Sequence, residues 1–531
     1  MKESIISGKT ALGIELGSTR IKSVLIDEAH NTIATGEHTW ENKFSDGIWF
    51  YNLEDAWTGL QDSFENLQEA VSSKFGVKLT KVGAIGISGM MHGYLVVDEN
   101  GKQLSPFRTW RNTNAEKAAD ILTEEFNFNI PIRWSIAQLY QSVLEDMEHV
   151  KDIRFITTLA GYVHWKLTDC KVLGIDDASG MFPISSKTLG YNEKMLSQFD
   201  TLVAAKNYGW KLKEILPKVL VAGEPAGNLT AQGALLLDPT GTLKAGAPLC
   251  PPEGDVGTGM IATNSIAAHT GNVSAGTSSF AMIILDKDFT DVVREIDIVS
   301  TPDGKPSAMA HTNNCTTDLD AWVGLFDEVL RSFGVKAEKP QLYGTLYRKG
   351  LQADSNCGKL LAYNFMAGEP LAGTVTGSPL FVRAADCKFT LENFMRTMLF
   401  SALAPLRIGM DVLTERQVTV EKIKGHGGYF KTEEVGQRFM AAALGVPVEV
   451  MESAGEGGAW GIALLAAFMI NKQQNQTLDD YLQNKVFSGM EGSVISPSKE
   501  DIQSFEIFYE AYKKGLAIEH KAEKIMESVS K

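Results

Sequence analysis

Hydrophobic and polar positions set the first elements. Ala11–Glu15 is a short apolar run, broken by Leu16-Gly17-Ser18-Thr19-Arg20 and resumed over Ile21–Ile26. That pattern predicts two strands joined by a glycine-hydroxyl turn. Strand-like runs follow at Lys81–Ser88 and Tyr94–Asp98, on either side of Gly89-Met90-Met91-His92-Gly93. Helical spacing of apolar residues predicts helices over Leu53–Lys74, Ala115–Phe126 and Ile136–Met147.

Halfway along, the opening pattern returns. Ala267–Phe280 runs from an apolar stretch into Gly276-Thr277-Ser278-Ser279 and on into the strand-like Ala281–Leu285. Two similar α/β halves follow from this repeat, each with a glycine turn and with a cleft between them. The boundary is expected near Ser265, giving domains over residues 1–264 and 265–531. The second half carries helical patterns at Leu391–Leu413, Val435–Leu444 and Gly458–Phe468. The charged tail beyond Phe505 reads as a surface helix.

Composition narrows the function classes. At 531 residues the chain is too long for one compact core. A net charge of -15 argues against nucleic acid or an anionic membrane as partner. It leaves room for a nucleotide, which a few amides and one Mg²⁺ can hold in an acidic protein. The five cysteines show no CxxC spacing of a metal site, and their odd number fits a reducing compartment. No apolar run reaches the roughly 20 residues of a membrane helix, and residues 1–10 do not read as a signal peptide. A cytoplasmic, soluble protein is expected.

Four segments carry candidate chemistry. The turns Gly17-Ser18-Thr19 and Gly276-Thr277-Ser278 offer backbone N–H groups and hydroxyls at strand ends, able to wrap phosphate from two sides or to serve as plain turns. The chain has no GxxxxGK[ST], so ATP chemistry here is not of the P-loop type. Asp255, in Pro251–Met260, is either a general base toward a hydroxyl or the cap of the following helix. Gly425-His426-Gly427-Gly428 could admit a flat adenine or be only a turn. His92 and Trp110 could contact a sugar or be satisfied core residues.

In order along the chain, these segments resemble the FGGY family of carbohydrate kinases. Gly13–Arg20 is similar to the family's first phosphate motif, and Gly86–Gly93 to the sugar-contacting segment of xylulokinases. Leu159–Thr168 with Asp177–Gly180, Leu216–Gly227 leading into Gly254-Asp255, and Ser274–Ser278 continue the resemblance. So do Asn364–Pro370, like a GER-type segment without its arginine, and Gly425–Gly428 with Gly458–Ala463.

The resemblance implies an α/β fold of two actin-like (ribonuclease H-like) domains with the catalytic cleft between them. The first domain would hold sugar and base, the second ATP. It implies ATP-dependent phosphorylation of a ketopentose, D-xylulose or L-ribulose, to the 5-phosphate, with Mg²⁺. Asp255 would be the base. Gly17, Ser18, Thr19, Arg20, Gly276, Thr277, Ser278, Gly427 and Gly428 would hold ATP; Met91, His92, Trp110 and Asp255 the sugar; Glu15 and Asp255 the metal. A homodimer is compatible with it.

Three positions depart from the family pattern. Glu15 stands where aspartate is usual, Arg111 follows Trp110 where xylulokinases carry aspartate, and Tyr429-Phe430 gives an adenosine loop nearer ribulokinases in length. Two other classes compete. A non-catalytic actin-like nucleotide binder would keep both glycine turns but dispense with Asp255. A chaperone ATPase would need a β-rich peptide domain after Phe468, for which the chain leaves no room. Another ketose or a polyol is the alternative acceptor.

Overall fold

The computed structural model describes residues 1–451, 457–490 and 492–529. In the first half, strands β1 (Ala11–Leu16), β2 (Arg20–Ile26), β3 (Thr32–Thr39), β4 (Ala84–Gly89) and β5 (Glu253–Gly254) form one sheet in the order β5-β4-β1-β2-β3. The alternation in β1 explains its two faces. Leu12, Ile14 and Leu16 point into a core shared with Leu60, Phe64 and Leu67 of helix α1 (Leu53–Phe75). Gly13 points the other way, where an added Cβ would sit 2.0 Å from the Ala459 carbonyl oxygen.

The second half repeats this wiring. Strands β6 (Thr270–Ala275), β7 (Ser279–Ile284), β8 (Asp297–Ser300), β9 (Pro306–Thr312), β10 (Lys422–His426), β11 (Val448–Val450) and β12 (Ser493–Ile495) order as β8-β9-β7-β6-β10-β11-β12. In the first sheet β1–β2 and β2–β3 are antiparallel while β1–β4 and β4–β5 are parallel. In the second, β6–β7 and β7–β9 are antiparallel while β6–β10 and β10–β11 are parallel. The sequence repeat is therefore a repeat of topology, with β8 and β12 as added edges.

Two helical expectations need correction. Leu391–Leu413 is not one helix but two, α4 (Leu391–Ser401) and α5 (Ala404–Glu415), bent by 47°. Pro405 falls in the first turn of α5, where its missing N–H costs nothing, whereas inside a continuous helix it would remove a bond. The tail is not merely a surface helix. It runs over Lys499–Val529 as α7, and Phe505, Phe508, Tyr509 and Tyr512 are buried in the second core. Their spacing places them on one face, with the charged residues opposite.

Helix α6 (Gly457–Asn471) comes from the second half of the chain but packs on the first. It is apolar all round, and Gly458–Phe468 are all buried. It packs on the first sheet, where Gly86 faces Ile462, and on the helix that carries Asp255, where a Cβ on Gly461 would meet the Thr258 carbonyl oxygen at 2.0 Å. Among the described residues no single helix is long and apolar enough to cross a membrane.

Candidate active site

Parallel register brings the first-half residues together. Glu15 pairs with Ser88 and Ser88 with Glu253; one residue on, Leu16, Gly89 and Gly254 align. Asp255 continues from β5 as the first residue of helix α3 (Asp255–Ala262). Its Oδ1 accepts the Met91 backbone N–H at 3.2 Å. Thr258, one turn later, donates to the Gly254 carbonyl at 3.0 Å and hydrogen-bonds Ser88 at 3.0 Å, which pins the start of α3 to β4.

A cavity of about 340 Å³ opens at these strand ends, lined by Glu15, the Gly17–Thr19 turn, Lys22, Asp255 and Gly457, with the Arg20–Glu37 pair. Trp40 Nε1 donates to the Gly17 carbonyl at 2.7 Å, Tyr51 Oη to Ser18 at 2.5 Å, and Trp40 N to Thr19 at 3.2 Å. Trp40 and Tyr51 stack at 4.1 Å behind the turn. With its carbonyls anchored backward, the turn can present amides and hydroxyls to the cavity, the arrangement an anion needs. Arg20 donates to Glu37 at 3.0 Å and is largely exposed.

Lys22 was not among the sequence candidates. It pairs with Glu15 across the β1–β2 hairpin and lines the same cavity. The signal was available: with a tight turn, residues equidistant from it share a face. Burial first, and then the charge of Asp255, raise the Glu15 carboxyl to about 7. Burial raises Asp255 to about 6, against the opposing bond from Met91. Among the described residues no group of three His, Cys, Asp or Glu forms a metal site. Two carboxylates in a cavity with a phosphate-type turn do suit Mg²⁺, which takes one or two carboxylates and fills its shell with phosphate oxygens and water.

Two further acids hold this corner. Asp176, in the short helix α2 (Ile175–Ser179), accepts from Gly254 N at 3.0 Å and Gly257 N at 3.2 Å. Glu253 in turn accepts from Asp176 N at 3.2 Å and Asp177 N at 3.4 Å. Each helix start is thus capped by an acid from the other segment. The carboxyls of Asp176 and Glu253, and of Asp177 beside them, are fully buried, and burial lifts each well above the ordinary carboxylate range.

The proposed sugar residues separate. Met91 is buried beside Gly254 and Gly180, whose added Cβ atoms would collide with it. His92, at φ 69°, donates through Nδ1 to the Gly180 carbonyl at 3.0 Å and accepts from Arg133 Nε at 3.3 Å through Nε2. Burial and the Arg133 charge hold it neutral, its pKa pushed down to about 3. Both ring nitrogens are engaged, and the cation beside it is Arg133, which sequence reasoning missed. Arg133 also pairs with Asp297 of β8. Trp110 is 36% exposed, under the Arg111 guanidinium. It is not part of the Asp255 cavity.

The second-half turns meet at strand ends of their own. β6 and β10 are parallel with Ser274 opposite His426, so Gly276–Ser278 and Gly427-Gly428 leave adjacent strands at the same edge. Gly427 has φ 104°, and a Cβ there would lie 2.4 Å from the Ala275 carbonyl oxygen, so only glycine suits this approach. Neither turn lines the Glu15–Asp255 cavity. The Gly17–Thr19 and Gly276–Ser278 turns thus sit one on each sheet, as expected for one turn per half.

The N-terminal domain model of the FGGY family of carbohydrate kinases matches residues 10–256, and its C-terminal domain model matches 271–470. The chain belongs to the FGGY family of carbohydrate kinases. As such it is an ATP-dependent phosphotransferase. It is 21% identical over 476 residues to a xylulose kinase of Haemophilus influenzae, covering 84% of this chain and 91% of that protein. It is 24% identical over 482 residues to a gluconokinase of Bacillus licheniformis, covering 87% and 88%. The solved structure of a ligand-bound xylulose kinase from Lactobacillus acidophilus superposes with a TM-score of 0.77 at 16% identity, covering 97% of this chain and 99% of that one. The fold is thus the two-domain actin-like one.

Proposed function

We propose that this FGGY kinase phosphorylates a ketopentose, D-xylulose or L-ribulose, at the 5-hydroxyl, with Asp255 as general base. The observation that carries it is the shared cavity of Asp255, Glu15, Lys22 and the Gly17–Thr19 turn. Asp255 takes the proton of the acceptor hydroxyl as that oxygen attacks the γ-phosphorus in line and ADP leaves. Met91 N–H keeps one carboxylate oxygen in place while the other faces the substrate. Lys22 and the Ser18 and Thr19 amides offset charge on the transferred group, the Gly17 amide being bonded to the Arg20 carbonyl at 2.9 Å.

Glu15 and Asp255 would hold Mg²⁺, which when bound neutralises charge on the β- and γ-phosphates. Gly276–Ser278 would take the phosphates and Gly427-Gly428 the adenosine, with domain closure bringing them over the first cavity and excluding water.

A second acceptor class has an observation of its own. The Arg133 guanidinium beside His92 would suit a carboxylate-bearing sugar acid, and a gluconokinase is among the relatives. Coupled ADP release with Mg-ATP over ketopentoses, polyols and gluconate separates the readings. A dominant response to D-xylulose or L-ribulose supports the first, and one to gluconate replaces it.

A further inference from the structure

Glu369 belongs to the segment that resembles a GER motif without its arginine, and the mechanism above leaves it unused. It is fully buried, and three donors converge on its Oε2: Asn313 N at 3.0 Å, Asn314 N at 3.3 Å and Asn314 Nδ2 at 3.1 Å. Its neighbours complete a clasp. Asn313 Nδ2 donates to Gly368 O at 2.7 Å, Asn314 Nδ2 to Ala367 O at 3.0 Å, and Ala367 N to Asn314 Oδ1 at 3.0 Å. Asn364 Nδ2 donates to Cys315 O at 3.0 Å.

The clasped segment, which follows β9, is the one that holds the Gly276–Ser278 turn. Cys315 N donates to Thr277 O at 2.9 Å, and Thr316 N donates to Gly276 O at 2.9 Å. Thr317 Oγ1 adds a bond to Thr277 O at 3.4 Å. The turn's carbonyls are therefore fixed from the side of Asn313–Thr317, which sets where its amides point. Among residues 313–317, the backbone amides next to these two anchors are the ones Glu369 accepts.

The far side of the clasp is held by the C-terminal helix. Glu523 Oε1 accepts from Val375 N at 2.7 Å and Gly377 N at 3.1 Å, and Glu519 Oε1 from Ser378 N at 2.8 Å. His520 Nε2 donates to Ala372 O at 2.8 Å. The segment bearing Glu369 is thus braced on one side and presses on the turn at the other.

We propose that Glu369 is a positioning residue for the nucleotide, acting through Asn313–Thr316 on the Gly276–Ser278 turn. This rests on the reading that the turn holds ATP phosphates. A small displacement of such a turn is costly, since a misplacement of about 1 Å can lose about 10²-fold in rate.

Glu369→Gln keeps an oxygen for the three donors and sets an amide where Oε1 has no partner; Glu369→Leu keeps bulk and removes the acceptor. ADP affinity by calorimetry, the KM for ATP, the KM for sugar and Tm are measured for both. Expected for Glu369→Leu is roughly a ten- to hundred-fold weaker ADP affinity and raised ATP KM, with sugar KM unchanged and Glu369→Gln close to wild type. A lowered Tm with unchanged ADP affinity overturns the proposal.

Should Glu369→Leu not fold, Asn313→Ala removes the exposed bond to Gly368 and is expected to weaken ADP in the same direction; unchanged ADP affinity there overturns the proposal too. Gly276→Asp separates the two readings, because a Cβ at Gly276 meets nothing within 4 Å and the added charge repels phosphate. If it weakens ADP while Glu369→Leu does not, only the role of Glu369 falls. If neither affects ADP, the phosphate turn is misassigned and the proposal falls with it.

Discussion

The Met91 backbone N–H donates to Asp255 Oδ1 at 3.2 Å, so the segment resembling the sugar-contacting motif also orients the proposed base. Replacing Asp255 by asparagine keeps an oxygen for that bond and removes the basic site. Turnover is expected to fall about 10²- to 10⁴-fold, with the affinity for metal-free ADP by calorimetry unchanged. Near-normal turnover would exclude Asp255 as the base.

Asp255 must be ionised to accept a proton, and burial raises it to about 6. The kcat/KM for the sugar is therefore expected to drop on the acid side, with a limb near that value. Glu15 titrates to about 7, partly because Asp255 is charged. Asp255→Asn removes that contribution and should lower the Glu15 titration followed by carboxylate-resolved NMR. A Glu15 pKa that does not move would show that the two carboxylates do not share a field.

Lys22 lines the cavity from the strand position opposite Glu15, whereas Arg20 is largely exposed at the cavity rim. Loss of a cation aimed at developing charge typically costs about 10²- to 10³-fold. Lys22→Met is expected to lose activity in that range, and Arg20→Met much less. Equal losses, measured as kcat/KM for ATP, would refute the distinction.

Glu519 is buried in α7 and raised by burial to about 7. Its folded pKa exceeds the unfolded one of about 4.5, so the folded state binds more protons between those values and loses stability as pH rises through them. Glu519→Gln lacks this dependence. The Tm of the variant relative to wild type is expected to rise between about pH 5 and about pH 8, by on the order of 1–2 kcal/mol in stability. A difference that is flat with pH would show that Glu519 carries no such proton.

Gly461 lies against the Thr258 carbonyl in α3, with 2.0 Å for an added Cβ. Gly461→Ala must push α6 away from the helix that starts at Asp255. A loss of about 1–3 kcal/mol is expected, read in urea unfolding, together with reduced kcat. Wild-type stability would mean that the contact relaxes without cost.

The glycine turns were legible because they depend on local alternation: an apolar run, a Gly-hydroxyl break and a second run identify a strand end without tertiary knowledge. Asp255 was legible through the short residues around it, but the cap reading does not hold: Gly254 takes the cap position, and Asp255 is the first helical residue and lines the cavity. The Asp176–Glu253 exchange of caps was not legible, because its partners lie 77 residues apart in sequence and nothing local pairs them. Arg133 was hidden in the same way, its partners His92 and Asp297 lying on separate segments. The break at Ala402–Leu403 was missed because apolar periodicity continues through it and only Pro405 signals the turn. The C-terminal aromatics were read as polar surface because charged residues outnumber them around the helix.

Helix α6 has a consequence for biosynthesis. The cover for β1 and β4 lies more than 440 residues downstream of Glu15, as the bond from Ala459 N to Glu15 shows. Until that stretch has left the ribosome, the inner face of the opening sheet stays wet, and the acid in its middle lacks its backbone donor. The first domain is thus translated first and finished last, and a chain stopped after residue 264 would emerge with a sticky, half-built sheet.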